Sequence, residues 1–476
     1  MQYYNRKVEQ ITETEAWREL SGLAGKRFNP IPADWMNRLV FAACPDRAWP
    51  ILRDAQKAIL RRMQNARLDG LQLDRSPRNK NGTGVYTLKN ADGQRRPYRI
   101  QIRNLNPLIA SCNCSDYCLN SFGICKHILT VVSAILKQEK KISATMLNAP
   151  AWPQLPFLYW DPVRPWRGAG DWLDRLRLVE PPGKLDQMSK AHLDLLLLCK
   201  QDRSEDDRKW WLLKHSHADQ PKKRLHILQV IAEFLQSDSR TASDVAIERL
   251  LRWDLDKTER ILQSRTLRAN LPRHLKGLKG KLYAYQREGV TRFFDSGRLL
   301  LGDQMGLGKT VQAIAIAHTL MASDSIQRGL FIVPASLKNQ WQNECLLFSE
   351  LPVQIIDGNP QQRARIYRQC KRGILITNYE QVIRDFHLIE KWKPEFALLD
   401  EAQRIKNWAT KTALYVKAIQ PRFRLILTGT PMSQGYQDLF AQMRFLSPKI
   451  LGYNSFYSFA ANHLEYSEKY PGLIIA

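Results

Sequence analysis

The sequence lacks an apolar run long enough to cross a bilayer: its two longest candidates, residues 193–199 and 128–136, fall well short of the roughly 20 that a spanning helix needs. Its first ten residues, MQYYNRKVEQ, contain no apolar stretch of the secretory kind. No membrane association is therefore expected. Cysteine is scarce, eight in 476 residues, which argues against a disulfide framework and for free thiols or metal ligands. Acidic residues are in deficit, 46 against 72 lysines and arginines, leaving a formal net charge of +26. A field of that sign favours polyanions, because each phosphate neutralised by a basic side chain releases condensed counterions. There is no internal repeat or low-complexity tract, and the length accommodates roughly two to four domains.

Residues 1–80 carry amphipathic helical patterns, such as Trp49, Leu52, Ala55, Ile59 and Met63, and no visible chemistry. Residues 85–89 and 98–103 read as two strands around a turn signal at 90–93. They lead into a cysteine cluster and then a helix over 127–136, which defines a small module over 81–148. Residues 149–182 are rich in proline and tryptophan, with Trp152, Trp160, Trp166 and Trp172 interleaved with prolines. They are expected to be a connector whose tryptophans anchor it on a neighbouring surface. Residues 183–270 read as helical, with Leu225, Leu228, Ile231, Ala232 and Leu235 on one face, and residues 241–262 as a plain helical bundle rather than a helix-turn-helix. The region 149–275 is thus expected to be connector plus helices.

Over residues 276–476 the pattern changes. Apolar strand candidates at 299–301, 330–333, 374–377, 396–399 and 424–428 alternate with helices. This predicts an α/β lobe with a parallel, doubly wound sheet whose carboxyl ends hold the ligand. The first candidate runs into Gly302-Asp303-Gln304-Met305-Gly306-Leu307-Gly308-Lys309-Thr310, and a helix follows. Glycines let backbone N–H groups turn inward around phosphate oxygens, and the helix start adds partial positive charge. Lys309 would then reach the terminal phosphates of ATP and Thr310 would ligate magnesium. The fourth candidate ends in Asp400 and Glu401. Paired acids at the end of a buried strand need a cation, so Asp400 is expected to hold magnesium and Glu401 to orient and polarise the attacking water.

These segments, DEAQ at 400–403 followed by Arg404-Ile405-Lys406-Asn407 and LGDQMGLGKT at 301–310, resemble the Swi/Snf-type ATPases of helicase superfamily two. Asp303 stands where a strict phosphate loop has glycine, and the family commonly has an acid there. Gln286, in LYAYQREGV, resembles the family's adenine-reading glutamine, with Tyr283-Ala284 in place of the usual Arg-Pro. The segments holding Pro334 and Ser336, continuing to Trp341, and Asn378 and Tyr379 resemble those that grip the DNA backbone. Thr428-Gly429-Thr430-Pro431 resembles the coupling motif that links the hydrolysis site to strand contacts, with Gln403 counted among the coupling residues, although the family's later asparagine is Gln434. The resemblance runs from Leu282 to Pro448 and implies a RecA-like P-loop lobe.

Cys112, Cys114, Cys125 and His127 offer three thiolates and an imidazole, a set suited to tetrahedral zinc, with Cys118 as an alternative thiol in the gap. Four protein ligands leave no open position, so a structural zinc is expected. The spacing, after two strands and before a helix, is similar to the SWIM zinc finger, and the flanking Arg95, Arg96, Arg99 and Arg103 would let it meet DNA.

The resemblances together imply an ATP-dependent translocase or remodeller of double-stranded DNA that moves along the duplex rather than unwinding it. A bacterial, cytoplasmic, nucleoid-associated setting is expected, or a nuclear one in a eukaryote, with a nucleoprotein, transcription or repair complex as partner. The family needs a second RecA-like lobe, which nothing here matches; a second polypeptide is one source. The rival expectation is a non-hydrolysing DNA- or protein-binding module.

Overall fold

The computed structural model describes residues 13–24, 27–44, 49–77, 82–90, 97–120, 122–138, 152–163, 171–183, 188–205, 207–214, 220–237, 242–407, 410–432, 436–447 and 459. Arg95, Arg96, Trp166, Gln434 and Pro448 lie outside them. The chain divides into two compact units, one built mainly from residues up to Leu255 and the other mainly from Asp256 onward.

The first unit opens with helices Glu13–Ala24, Ala33–Ala43 and Trp49–Leu68. The last of these buries Leu52, Ala55, Ile59 and Met63 along one stripe, as the helical spacing predicts. An antiparallel sheet follows: β1 (Gln72–Arg75), β2 (Gly84–Lys89), β3 (Tyr98–Leu105) and β4 (Leu108–Cys112), in spatial order β1-β2-β3-β4. β2 and β3 are the two expected strands; β1 is exposed along its whole length and gives no apolar signal. β4 delivers Cys112 to the short helix Ser115–Leu119 and to the helix Lys126–Gln138, whose Ile128, Leu129, Val131 and Val132 are fully buried.

The region expected to be connector and helices is instead built on a second sheet. Its strands are β5 (Phe157–Trp160), β6 (Leu176–Glu180), β7 (Cys199–Glu205), β8 (Arg208–Leu213) and β9 (Ala242–Ser243), in order β7-β8-β6-β5-β9. Trp160 and Trp172 are core residues, 1% and 6% exposed, not surface anchors. Trp152 packs its ring against Phe157, Tyr159 and Trp210. The edge strand β7, CKQDRSE, is too polar to read as a strand, and only its pairing with β8 specifies it. Helices Lys190–Leu197 and Pro221–Ser237 accompany the sheet, and the expected bundle at 241–262 is β9 followed by one continuous helix, Ile247–Ala269.

Arg103 of β3 joins the two sheets. Its guanidinium pairs with Asp244 at 3.0 Å, both side chains being 3% exposed, and Asp244 also accepts from the Trp160 N–H at 2.9 Å. A buried ion pair is tolerated only when its remaining hydrogen-bonding groups are met, which the Trp160 amide helps to do.

The second unit is a six-stranded, wholly parallel sheet: β10 (Arg298–Leu301), β11 (Arg328–Val333), β12 (Val353–Ile355), β13 (Gly373–Asn378), β14 (Phe396–Leu399) and β15 (Phe423–Leu427). Its order is β10-β15-β14-β11-β13-β12. Five of these strands match the expected runs, and β12 is an additional short strand at one edge. All four residues of β14 are 0% exposed, because helices cover both faces, as a continuous apolar run requires. Its phenylalanine and leucine side chains each contribute about 1.5–3 kcal/mol by leaving water. Glu395 pins the start of β14 to β11 by accepting from the N–H groups of Gln327 and Arg328 at 2.7 and 2.9 Å.

Candidate functional site

β10 ends at Leu301, and residues 302–308 hand over to the helix Lys309–Ala322. Gly306 and Gly308 take φ of +84° and +69°, where a side chain is strained. A Cβ on Gly308 would also lie 2.4 Å from Nε2 of Gln286. Gln286 is buried; its amide oxygen accepts from the Tyr283 N–H at 3.0 Å, and its Nε2 donates to the Leu307 carbonyl at 3.4 Å. Both ends of the amide that the resemblance assigns to base reading are thus engaged on the protein, bracing the loop against the helix Ala284–Ser296.

Lys309 Nζ donates to the carbonyl oxygens of Asp303 and Gln304 at 2.8 and 3.0 Å, which places the ammonium inside the loop. The Asp303 carboxylate accepts from Gln312 Nε2 at 2.9 Å, so it ties the loop to the first turn of the helix rather than repelling phosphate. Met305 and Leu307 are exposed, and Thr310 is half-buried in that first turn.

Asp400 continues the sheet ladder beyond β14, its N–H donating to the Ile332 carbonyl at 2.9 Å. One carboxylate oxygen accepts from Trp341 Nε1 at 2.8 Å and the other from the Glu401 N–H at 3.0 Å. Burial pushes the Asp400 carboxyl above its ordinary range; the Trp341 bond opposes this and the Glu401 charge adds to it. Glu401 has φ of +49°, uncommon for a residue with a side chain. Its carboxylate accepts from Gln403 Nε2 at 2.6 Å, and Gln403 Oε1 accepts from the Thr428 hydroxyl at 3.1 Å.

The strand order explains this relay. β15 lies between β10 and β14, so Thr428 at its carboxyl end separates the phosphate loop from the acid pair. Its N–H donates to the Leu301 carbonyl at 3.2 Å, and its hydroxyl also accepts from the Thr430 N–H at 3.2 Å. Gly429 sits beside the lysine: a Cβ there would lie 4.0 Å from Lys309 Nζ.

Among the four expected DNA contacts, Ser336 alone is exposed, on the turn Ala335–Leu337. Pro334 is buried, and the half-buried Asn378 caps the helix Tyr379–Trp392 by accepting from the Gln381 N–H. Tyr379 is 1% exposed and its hydroxyl donates to the Asp400 carbonyl at 2.6 Å, so the structure places it beneath the acid pair. Trp341, read as part of a DNA-gripping segment, is likewise buried against Asp400. Neither role is visible in sequence, since it depends on which strand lies next to β14.

In the first unit, Cys112, Cys114, Cys125 and His127 are all buried, and one ligand atom from each lies within 4.8 Å of the others. His127 Nδ1 is 3.8 Å from the Cys112 sulfur and 3.7 Å from that of Cys125. Tetrahedral zinc with ordinary bond lengths separates such ligands by roughly 3.6 Å, so the donor set and its spacing fit that ion. Cys112, Cys114 and Cys125 are free thiols. Burial acts to raise the Cys114 thiol, but hydrogen bonds from its cysteine neighbours and His127 hold it well below the ordinary range. Cys118 sits apart, directed at the Ala246 carbonyl. Of the basic flank, Arg103 is consumed by Asp244, and the exposed Arg99 faces Glu248 at 3.8 Å.

The parallel sheet, the glycine loop opening a helix and the acid pair on an inner strand define a phosphate-loop nucleotide-binding domain. The chain belongs to the SNF2-related family: a family model described as "SNF2-related domain" matches residues 190–469, more than half of its length. It is 34% identical over 177 residues to an uncharacterized ATP-dependent helicase of Mycoplasma genitalium, a match covering 36% of this chain and 17% of that protein. An ISWI chromatin-remodeling complex ATPase of Saccharomyces cerevisiae is 34% identical over 185 residues, 36% of this chain and 16% of that one. The chain therefore matches about a sixth of the length of these relatives. Among solved structures, the Sulfolobus solfataricus SWI2/SNF2 ATPase core in complex with dsDNA is 30% identical, with 39% of each chain covered and a TM-score of 0.36. No helix among the described residues is long and apolar enough to cross a membrane.

Proposed function

We propose that residues 276–476 are the first, RecA-like lobe of an ATP-driven motor that translocates on or remodels double-stranded DNA. The carrying observation is the relay from Glu401 through Gln403 to Thr428, which ties the acid that would act on water to the strand beside the phosphate loop. Lys309 exchanges the carbonyls of Asp303 and Gln304 for phosphate oxygens when ATP enters, and the N–H groups of residues 304–310 line the phosphates. Thr310 and Asp400 are the residues that would hold magnesium, which when bound offsets phosphate charge. Glu401 orients the attacking water and accepts its proton, and Gln403 holds that carboxylate in place. A second lobe supplies the arginines that complete the cleft, from this protein or another polypeptide.

Residues 81–148 would form a SWIM-type module whose Cys112, Cys114, Cys125 and His127 hold a structural zinc. With Arg103 buried, its direct grip on DNA rests on few basic groups, and it serves chiefly to brace the neighbouring sheet. The net charge of +26 supports a nucleic-acid partner, in a cytoplasmic, nucleoid-associated setting or a nuclear one.

The test is ATP turnover with and without duplex DNA, on this chain and on one joined to a second lobe. Duplex should stimulate the two-lobed protein, and Lys309→Ala should abolish that stimulation. Unchanged turnover in Lys309→Ala overturns the proposal; no turnover in the two-lobed protein favours a binding module instead.

A further inference from the structure

At the opposite end of the parallel sheet from the nucleotide loop, four arginines converge. Arg298 opens β10, Arg422 and Arg424 flank the first residue of β15, and Arg260 comes from the helix Ile247–Ala269. Arg260 and Arg424 are 4% and 3% exposed, whereas Arg422 reaches the surface. Backbone carbonyls take up part of this donor capacity. Arg260 donates to the Ser296 carbonyl, Arg298 to Leu446 at 2.7 Å, and Arg424 to Pro421 at 2.9 Å and to Phe445 at 2.5 Å.

Two guanidinium N–H groups, Nε of Arg260 and Nε of Arg422, are buried and have no partner, and the fully buried Ser264 hydroxyl, one turn after Arg260, has none either. The acids that reach the cluster are both exposed: Asp256, and Glu259 at 4.0 Å from Arg422. Burial and the Arg298 charge push the Arg260 guanidinium down to about 9, and burial pushes Arg298 down to about 10. A guanidinium does not release its proton at neutral pH, so the cluster carries uncompensated positive charge. Buried donors without acceptors are costly, and these three belong to neighbouring residues: Ser264 follows Arg260 by one turn, and Arg422 is close enough for its charge to act on Arg260.

We infer that this cluster binds a small multivalent oxyanion of the phosphate class, seated against Arg260 Nε, Arg422 Nε and the Ser264 hydroxyl. Guanidinium forks match tetrahedral oxyanions, and one such ion would meet the orphaned donors and the excess charge together. The strands run from this cluster to the nucleotide loop, so the site is separate from the one that takes ATP, and it does not rest on the motor proposal.

The test uses the full chain carrying Lys309→Ala, which weakens the phosphate loop as a competing anion site. Inorganic phosphate at saturating concentration should raise the thermal midpoint by about 3 °C or more over sodium chloride of equal ionic strength. Arg422→Gln, at a partly exposed position, should abolish that difference. Equilibrium dialysis with labelled phosphate, which needs no folded Arg422 variant, should show saturable binding that chloride does not displace. Displacement by a short duplex would assign the site to a backbone phosphate and persistence to a free ion; both support it. A midpoint shift that chloride reproduces, an equal shift in a folded Arg422→Gln, or no saturable binding overturns the proposal.

Discussion

The Thr428 hydroxyl donates to the Gln403 amide oxygen at 3.1 Å, linking the end of β15 to the turn that follows the acid pair. Because Gln403 also donates to Glu401, its orientation is set from both sides. Gln403→Leu should leave nucleotide affinity within about 2-fold and reduce DNA-stimulated kcat of the two-lobed protein by about 10-fold or more, the pattern of an interaction made in the transition state. A parallel rise in KM with kcat unchanged would refute the relay.

Trp341 holds one carboxylate oxygen of Asp400, and its ring is buried against Phe331. Trp341→Phe keeps most of the packing and removes the donor. It should cost about 1–2 kcal/mol of stability, read by urea denaturation, and lower kcat by several-fold through misplacement of Asp400. Full activity would show that the hydrogen bond does not position the acid.

Arg103 and Asp244 form a buried pair inside the first unit. Arg103→Met should destabilise that unit by about 3–5 kcal/mol at neutral pH, because it strands a buried carboxylate. Burial already raises the Asp244 carboxyl, with Arg103 opposing the rise. Without the arginine the folded-state pKa climbs further above the unfolded one. The penalty is therefore present above the folded pKa and relieved as pH falls through it. Denaturation at two pH values checks the sign: a deficit that grows on acidification would contradict it.

The cysteine and histidine cluster is wired to the second sheet, since Tyr117 packs edge-on against Trp160 and Cys118 points at the Ala246 carbonyl. Cys112→Ser with His127→Ala should abolish stoichiometric zinc, measured by elemental analysis, and should also alter near-ultraviolet circular dichroism from the tryptophans. Retention of one zinc per chain would exclude this ligand set. Metal loss with an unchanged tryptophan signal would show that the zinc supports only its own module.

Much of the second unit is legible in sequence because a parallel sheet covered on both faces needs continuous apolar strands, and FALL at 396–399 or GILIT at 373–377 has no other comfortable home. Gly306, Gly308, Lys309, Asp400 and Glu401 are equally legible, since their chemistry is local to a turn or a strand end. The first unit is less so: β7 is polar and β9 is two residues long, and neither announces itself without its partner strands.

The sequence by itself determined the charge, the strand-and-helix alternation, the phosphate loop and the cysteine-histidine set, each carried by neighbours along the chain. Only the tertiary structure decided that Tyr379 and Trp341 serve Asp400, that Gln286 braces the loop and that Arg103 is lost to Asp244. It alone gathered four arginines at the far end of the sheet. Those relationships depend on strand order, which brings together residues far apart in sequence and decides which polar groups meet in the core.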